Sequence, residues 1–319
     1  GRYCHRLQES IVLPGSTEDS KLGYKSPYRH LDRLTRVYEY MGPAWYQREI
    51  EIPAAWKGKR IFLYFERTHW LSSVYVGKEE VSKIDYISIP HNHELTQWLH
   101  PGKKELITFC IDNRYQYDTH KWDHAHSEFT QINWNGVLGE IKLVAVDPVY
   151  VDDMQVYPDI KNKSIKVKMT VRNCTEHTAS GKISFHVTGK DYRLQKEVPV
   201  TVTDSITYIE EEMFLGKDIH LWNEFHPNLY TLDCKLTSSV EGQSYAHEKS
   251  TTFGMREVEA GEDHIILNGE PIHLRGTVEN AVFPKTGYAP VDAASWARVR
   301  RILKEYGMNH MRCHSWCPP

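Results

Sequence analysis

The stretch that decides how this chain is read runs F-G-M-R-E-V-E at Phe253–Glu259, I-I-L-N-G-E-P-I-H-L-R-G at Ile265–Gly276 and M-N-H-M-R-C-H-S-W-C-P-P at Met308–Pro319. Two short apolar runs flank Asn268-Gly269, a pair that tolerates the positive φ angles of a tight turn, so a β-hairpin is predicted there. Further on, Asp292 can cap a helix in which Trp296, Val299, Leu303 and Tyr306 recur at helical offsets, and Gly307 stops it. Met308–His314 then reads as a strand, whose alternation aims His310, Arg312 and His314 one way and Met311 and Cys313 the other. Strand, crossover helix and strand is the opening of a parallel α/β unit.

Upstream the pattern changes to period two. Ser164–Val171 places Ile165, Val167, Met169 and Val171 on one face with polar residues opposite, Ile183, Phe185 and Val187 repeat the pattern, and Val198–Glu212 carries another strand or two. Residues 148–253 are therefore expected to form an immunoglobulin-like β-sandwich. Earlier still, Gly42–Pro53, Arg60–Glu66, Ser73–Val76, Leu106–Ile111 and Ile141–Val146 read as short strands separated by turn signals, with almost no helical periodicity. Residues 1–147 are expected to be an antiparallel jelly-roll sandwich. The fold class is mainly β: jelly roll, immunoglobulin-like sandwich, then an incomplete α/β segment over 254–319.

Bulk properties exclude several function classes. The formal net charge is -3 with both signs interspersed, which offers no basic face for nucleic acid. No apolar run approaches the ~20 residues that cross a bilayer, and no membrane partner is expected. The six cysteines are scattered without metal-type spacing, so neither a disulfide framework nor a zinc site is assigned. The chain begins at Gly1 without Met, which leaves the compartment open, with export favoured over the cytoplasm. No cofactor is called for.

The richest polar-aromatic stretch is Arg114–Gly136, where His120, Trp122, Asp123, His124, His126, Asn133 and Asn135 fall within one reach. An indole stacking on a sugar ring, flanked by amide, imidazole and carboxylate groups, is one way to grip a saccharide. The same loop could instead pack between domains, and its three histidines could hold a metal; lacking a second carboxylate cluster, no metal site is assigned.

Several spaced motifs resemble glycoside hydrolase family 2, the group of β-galactosidases, β-glucuronidases and β-mannosidases. They are Phe253-Gly254-Met255-Arg256, Leu267-Asn268-Gly269-Glu270-Pro271, Leu274-Arg275-Gly276 and Asn309 with Arg312, which resemble the start of its catalytic barrel. Leu13-Pro14-Gly15, Gly42-Pro43-Ala44-Trp45-Tyr46, Trp56–Arg60, Leu95–Leu99 and Gly136-Val137 resemble its amino-terminal sugar-binding domain, and Leu221-Trp222 with Pro227–Tyr230 resembles the end of its middle domain. One departure is the register after Arg312, where Cys313-His314-Ser315-Trp316 replaces the family's residue followed by Ser-His-Tyr-Pro.

The resemblance implies a retaining exo-acting β-glycosidase as parent, with a glycoside or oligosaccharide as substrate. It implies that Arg312 lies beside the nucleophilic carboxylate at the carboxyl end of a barrel strand and keeps that carboxylate ionised. His314 shares its face, and both a substrate-side and a structural role stay open. Glu279 and Asn280 follow the first barrel strand, where relatives shape the sugar pocket. Substrate contact is thus assigned to Trp122, Asp123, His126, Asn133, Asn135, Glu279 and Asn280, with Arg312 and His314 in support. A full barrel takes about 250 residues, and the family draws its acid/base and nucleophile from later strands, so the chain alone is expected to be inactive. Two other readings remain: a non-catalytic carbohydrate-binding sandwich protein, and a scaffold contributing oligomer contacts.

Overall fold

A computed structural model of the chain describes residues 7, 9–31, 36–87, 89–118, 128–129, 133–280, 283, 286 and 288–314. It divides into two units, one of residues 1–145 with 275–319 and the other of residues 146–274. The segment read from residue 254 onward is thus shared between them: the Asn268-Gly269 hairpin goes with the middle unit, and the parallel α/β piece with the first.

The middle unit is the more regular. Val149–Asp159, Ser164–Asn173 and Ile206–Phe214 form one sheet, and Arg193–Val202, Ala179–Thr188, Tyr230–Val240 and Gln243–Phe253 form the other. All pairings are antiparallel. Alternation makes the sandwich: Ile165, Val167 and Val171 are fully buried while Lys166 and Lys168 between them face solvent. Ile183, Phe185 and Val187 do the same opposite. A buried Phe or Ile contributes roughly 2–3 kcal/mol by leaving water, so this face supplies most of the unit's stability. Cys234 lies in that core and Cys174 is exposed, and neither is in a disulfide among the described residues.

Past this sandwich, Val258–Ala260, Ile265–Leu267 and Glu270–Ile272 form a small antiparallel sheet. Its two-residue turn has Asn268 at φ 53° and Gly269 at φ 85°, the pair of positive angles that a tight hairpin needs. The Asn268 side chain also accepts from Glu257 N at 3.0 Å and donates to Trp222 O at 2.9 Å, tying the turn to the segment where the Arg256 guanidinium stands 4.5 Å over the Trp222 ring.

The first unit contains two four-stranded sheets. One runs in the order Gly15–Ser16, Gly136–Val146, Arg60–Thr68, His91–Glu94, and the other Pro43–Glu51, Lys104–Asp112, Leu71–Val76, Glu79–Asp85. Ile61, Leu63 and Phe65 pack against Ile107, Phe109 and Ile111 between them. The strand His91–Glu94 is absent from the sequence reading because its inward residues are histidines, not aliphatics: His91 and His93 are buried while Asn92 and Glu94 are exposed.

The same unit ends in Gly276–Glu279, the helix Ala293–Glu305 and His310–Cys313, whose two strands pair in parallel. The Asp292 carboxylate caps the helix by accepting from Ser295 N at 2.8 Å, Trp296 is the buried residue on its inner face, and Gly307 ends it at φ 73°. Among the described residues these two strands do not close into a barrel.

Candidate functional site

The long connection after Lys104–Asp112 is held at its stem by three asparagines. Asn113 accepts from Gly42 N at 2.9 Å and donates to Tyr40 O at 2.9 Å, while Asn133 Nδ2 donates to Asn113 O at 2.9 Å. Asn135 Nδ2 donates to Ile111 O at 2.9 Å and Gly42 O at 3.1 Å, and its Oδ1 accepts from Tyr46 at 2.8 Å. All three are fully buried. Each amide has both donor and acceptor atoms, so it can stitch backbone from two neighbouring segments at once. Gly136 follows at φ 149°, and a Cβ there would meet Gly15 O at 2.2 Å; only glycine lets the returning strand approach Gly15–Ser16 so closely.

A buried ion cluster braces this stem. Arg36 Nη1 donates to Asn133 O at 2.6 Å and to Glu18 Oε1 at 3.2 Å, and its Nη2 contacts Glu128. The Arg36 side chain is only 7% exposed, so its charge needs both carboxylates for compensation. Burial raises the Glu18 carboxyl above its ordinary range even though Arg36 pulls it down.

Around the cluster stand aromatic groups. The Tyr288 hydroxyl donates to the Asp19 carboxylate, and the Tyr288 ring lies 6.3 Å from Trp134, which is 5.2 Å from His69. Trp70 lies 6.2 Å from Tyr117, whose hydroxyl donates to Asp85 at 2.6 Å. Burial, reinforced by Asp19, raises the Tyr288 phenol above its usual value, so it stays a donor at neutral pH.

The residues assigned to substrate contact divide into three groups. Asn133 and Asn135 meet at the stem, but their Nδ2 groups are bonded to backbone carbonyls and neither side chain reaches solvent. Glu279, Asn280, Arg312 and His314 gather at one end of the parallel pair, where His314 N donates to Glu279 O at 2.8 Å. The register matches Val278 with Arg312 and Glu279 with Cys313, so Arg312 and Glu279 face opposite sides. Trp122, Asp123 and His126, with His120 and His124, lie outside the described residues. Among the described residues no group of three His, Cys, Asp or Glu is arranged for a metal ion.

Sequence reading missed Arg36, Glu18, Asp19, Trp134 and Tyr288. Their only local signals are the S-T-E-D turn at Ser16–Asp19 and the N-W-N triplet at Asn133–Asn135; the pairing itself joins residues far apart in the chain. Chemically, the arrangement joins the segment after Asp112 to the strand that begins at Gly136 and presents the half-buried Trp134 beside Tyr288, a surface suited to stacking on a ring.

Residues 149–256 match the family model for glycosyl hydrolases family 2. Over 86% of its length the chain is 24% identical to a β-galactosidase of Thermoanaerobacter pseudethanolicus, covering 36% of that protein. It is 22% identical to the β-glucuronidase of Sus scrofa, covering 86% of this chain and 43% of that one. Bacteroides uniformis β-glucuronidase 2 shares the fold at a TM-score of 0.75 and 20% identity over 97% of this chain and 36% of its own. A family 2 member from Bacteroides cellulosilyticus does so at 0.74 over 95%. The chain thus spans well under half the length of these relatives.

Proposed function

We propose, from the match of residues 149–256 to the family model for glycosyl hydrolases family 2, that residues 1–319 are the amino-terminal portion of a retaining β-glycosidase that removes terminal sugars from β-glycosides. The observation that carries this reading is the parallel pairing of Gly276–Glu279 with His310–Cys313 across a capped helix, directly after two β-sandwiches. Such a pair is the start of an α/β barrel, and barrel enzymes keep their chemistry at the carboxyl ends of the strands. Glu279, Asn280, Arg312 and His314 stand at that end. In this reading 1–147 is a jelly-roll mount, 148–253 an immunoglobulin-like spacer and 254–319 the first wall of the pocket.

Arg312 is the supporting residue: exposed at its end of the strand, its cation keeps a neighbouring nucleophilic carboxylate ionised. Trp134 and Tyr288 contribute the sandwich side of the pocket. The acid and the nucleophile, which a retaining enzyme holds ~5 Å apart, come from strands that continue the barrel, so residues 1–319 do not hydrolyse glycosides unaided. The test is hydrolysis of nitrophenyl β-galactoside and β-glucuronide by the 319-residue chain and by the same chain continued to family length. The shorter is expected at the uncatalysed rate and the longer at least ~10⁶-fold above it. Hydrolysis by the 319-residue chain at an enzyme's rate would overturn the reading.

A further inference from the structure

The core of the first unit contains a run of polar side chains that the proposed glycosidase chemistry does not use. His91 and His93, buried on alternate positions of one strand, share the hydroxyl of Ser72: its Oγ lies 2.6 Å from His91 Nδ1 and 2.8 Å from His93 Nε2. His93 Nδ1 lies 2.8 Å from Ser82 Oγ, and His91 Nε2 lies 3.0 Å from Tyr86 O.

One fixed point settles every proton. The Tyr86 carbonyl only accepts, so His91 Nε2 carries hydrogen and, in the neutral ring, Nδ1 is a lone pair. At 2.6 Å the Ser72 hydroxyl must donate to that lone pair, since two lone pairs would repel. Ser72 oxygen then accepts from His93 Nε2–H, which leaves His93 Nδ1 to accept from Ser82. The hydrogen bonds all point one way, from Ser82 at the half-buried outer end to the Tyr86 carbonyl. Thr68 Oγ1, 3.0 Å from His91 Nδ1, is a second donor to the same lone pair.

Few groups bear on this run. Arg60–Thr68 contributes Thr68 and the ring of Phe65, Leu71–Val76 contributes Ser72, and Glu79–Asp85 contributes Ser82 and the carboxylate of Asp85, the charge that acts on His91 among the described residues. On His93 the group that acts is His91. Asp85 Oδ2 accepts from Tyr117, while Oδ1 is buried with no hydrogen-bond partner among the described residues.

We propose that Ser82, His93, Ser72 and His91 form a one-proton register switch, in which acid adds a single proton at Ser82 and the whole run of hydrogen bonds reverses to leave the charge on His91 beside Asp85. Ser82 takes a proton from hydronium, leaving water, and passes its own to His93 Nδ1, His93 passes its Nε2 proton to Ser72, and Ser72 passes its proton to His91 Nδ1. His91 ends doubly protonated, His93 ends neutral with hydrogen on Nδ1, and every ring nitrogen keeps a partner. A second proton is opposed, because it would set two imidazolium rings on one hydroxyl, both donating to Ser72, whose own hydrogen would then have neither ring as acceptor. Burial lowers both imidazoles, His93 to about 3, whereas the Tyr86 carbonyl and Asp85 draw His91 back up, which puts the first proton on His91. Asp85 also holds Tyr117, just after Asn113 of the candidate site, so the switch reaches that site through one carboxylate.

The test is two-bond proton–nitrogen NMR of the 319-residue chain with isotope-labelled histidine rings, assigned with His91→Gln and His93→Gln. At neutral pH both rings are expected to carry hydrogen on Nε2. On acidification His93 is expected to move its hydrogen to Nδ1 while staying neutral, in step with double protonation of His91. Hydrogen on His93 Nδ1 at neutral pH, titration of His91 with His93 unchanged, or unfolding before either ring changes would each overturn the proposal. Ser82→Ala, a mild change at the outer end, removes the acceptor that the reversed state needs. It is expected to hold His93 in its neutral-pH form until the chain unfolds, and a tautomer change matching that of the unmodified chain would count against the switch.

Discussion

The two sandwiches share an architecture and differ in what they bury. In the middle unit the interior is aliphatic and aromatic nearly throughout, with Ile165, Val167, Ile183, Phe185, Leu232 and Leu236 fully enclosed. In the first unit the enclosed set includes His91, His93, Ser72, Asn113, Asn133 and Asn135, all within 1% of complete burial. Buried polar groups cost free energy unless each is satisfied, and once satisfied they fix geometry more sharply than apolar packing. The contrast therefore separates a unit whose interior mainly excludes water from one whose interior also fixes particular backbone segments in place.

The sharpest way to break this contrast is to remove one enclosed side chain from each unit. Phe185→Ala should cost ~3–5 kcal/mol through lost burial and the cavity left behind, read as a lower urea midpoint for the middle unit. Asn135→Ala should cost about 2–3 kcal/mol, since it strips partners from Tyr46, Gly42 and Ile111 and leaves them buried. The two differ in kind: the Phe185 cost should shrink with a Leu replacement, whereas an Asp at 135, which keeps the acceptor and loses both donors, should recover little. Equal tolerance at both sites would erase the distinction.

Acidity should separate the units next. The His93 pKa in the fold, about 3, lies below its ordinary 6.5, so the unfolded chain takes up the proton first. Its contribution is intact above pH 6.5 and is lost as pH falls toward 3, at about 1.4 kcal/mol per pH unit for one proton. His247 is the counterpart in the middle unit, lowered by burial and the neighbouring Lys249 while accepting from Val151 N at 3.2 Å. Being half-buried, it should give a shallower slope. Unfolding followed against pH, with His93→Leu and His247→Leu as controls, checks the order. The smallest effect is expected from Tyr288→Phe, about 1 kcal/mol, because one hydrogen bond to Asp19 is lost at a partly exposed site.

What could be read from sequence follows the same contrast. The middle unit was legible because Ile165, Val167, Met169 and Val171 alternate with lysines and threonine, and the hairpin because only a pair such as Asn268-Gly269 accepts two successive positive φ angles. The helix between Asp292 and Gly307 announced both its ends. The polar core of the first unit was not legible, since His91 and His93 look like solvent-facing residues until the fold encloses them. Asn133 and Asn135 stood out as sugar-binding types, yet nothing in the sequence says whether an amide faces a ligand or a backbone carbonyl. Arg36 with Glu18 and Glu128, and Tyr288 with Asp19, are pairings of distant positions that no local pattern encodes.

The central claim, that residues 1–319 hold the mount and first wall of a retaining glycosidase without its nucleophile, is tested most directly by covalent labelling. The 319-residue chain is incubated with mechanism-based cyclitol aziridines of galacto and glucurono configuration, and its intact mass is measured. An unchanged mass with both reagents is the expected result. A stoichiometric adduct of one inhibitor on an Asp or Glu would contradict the account.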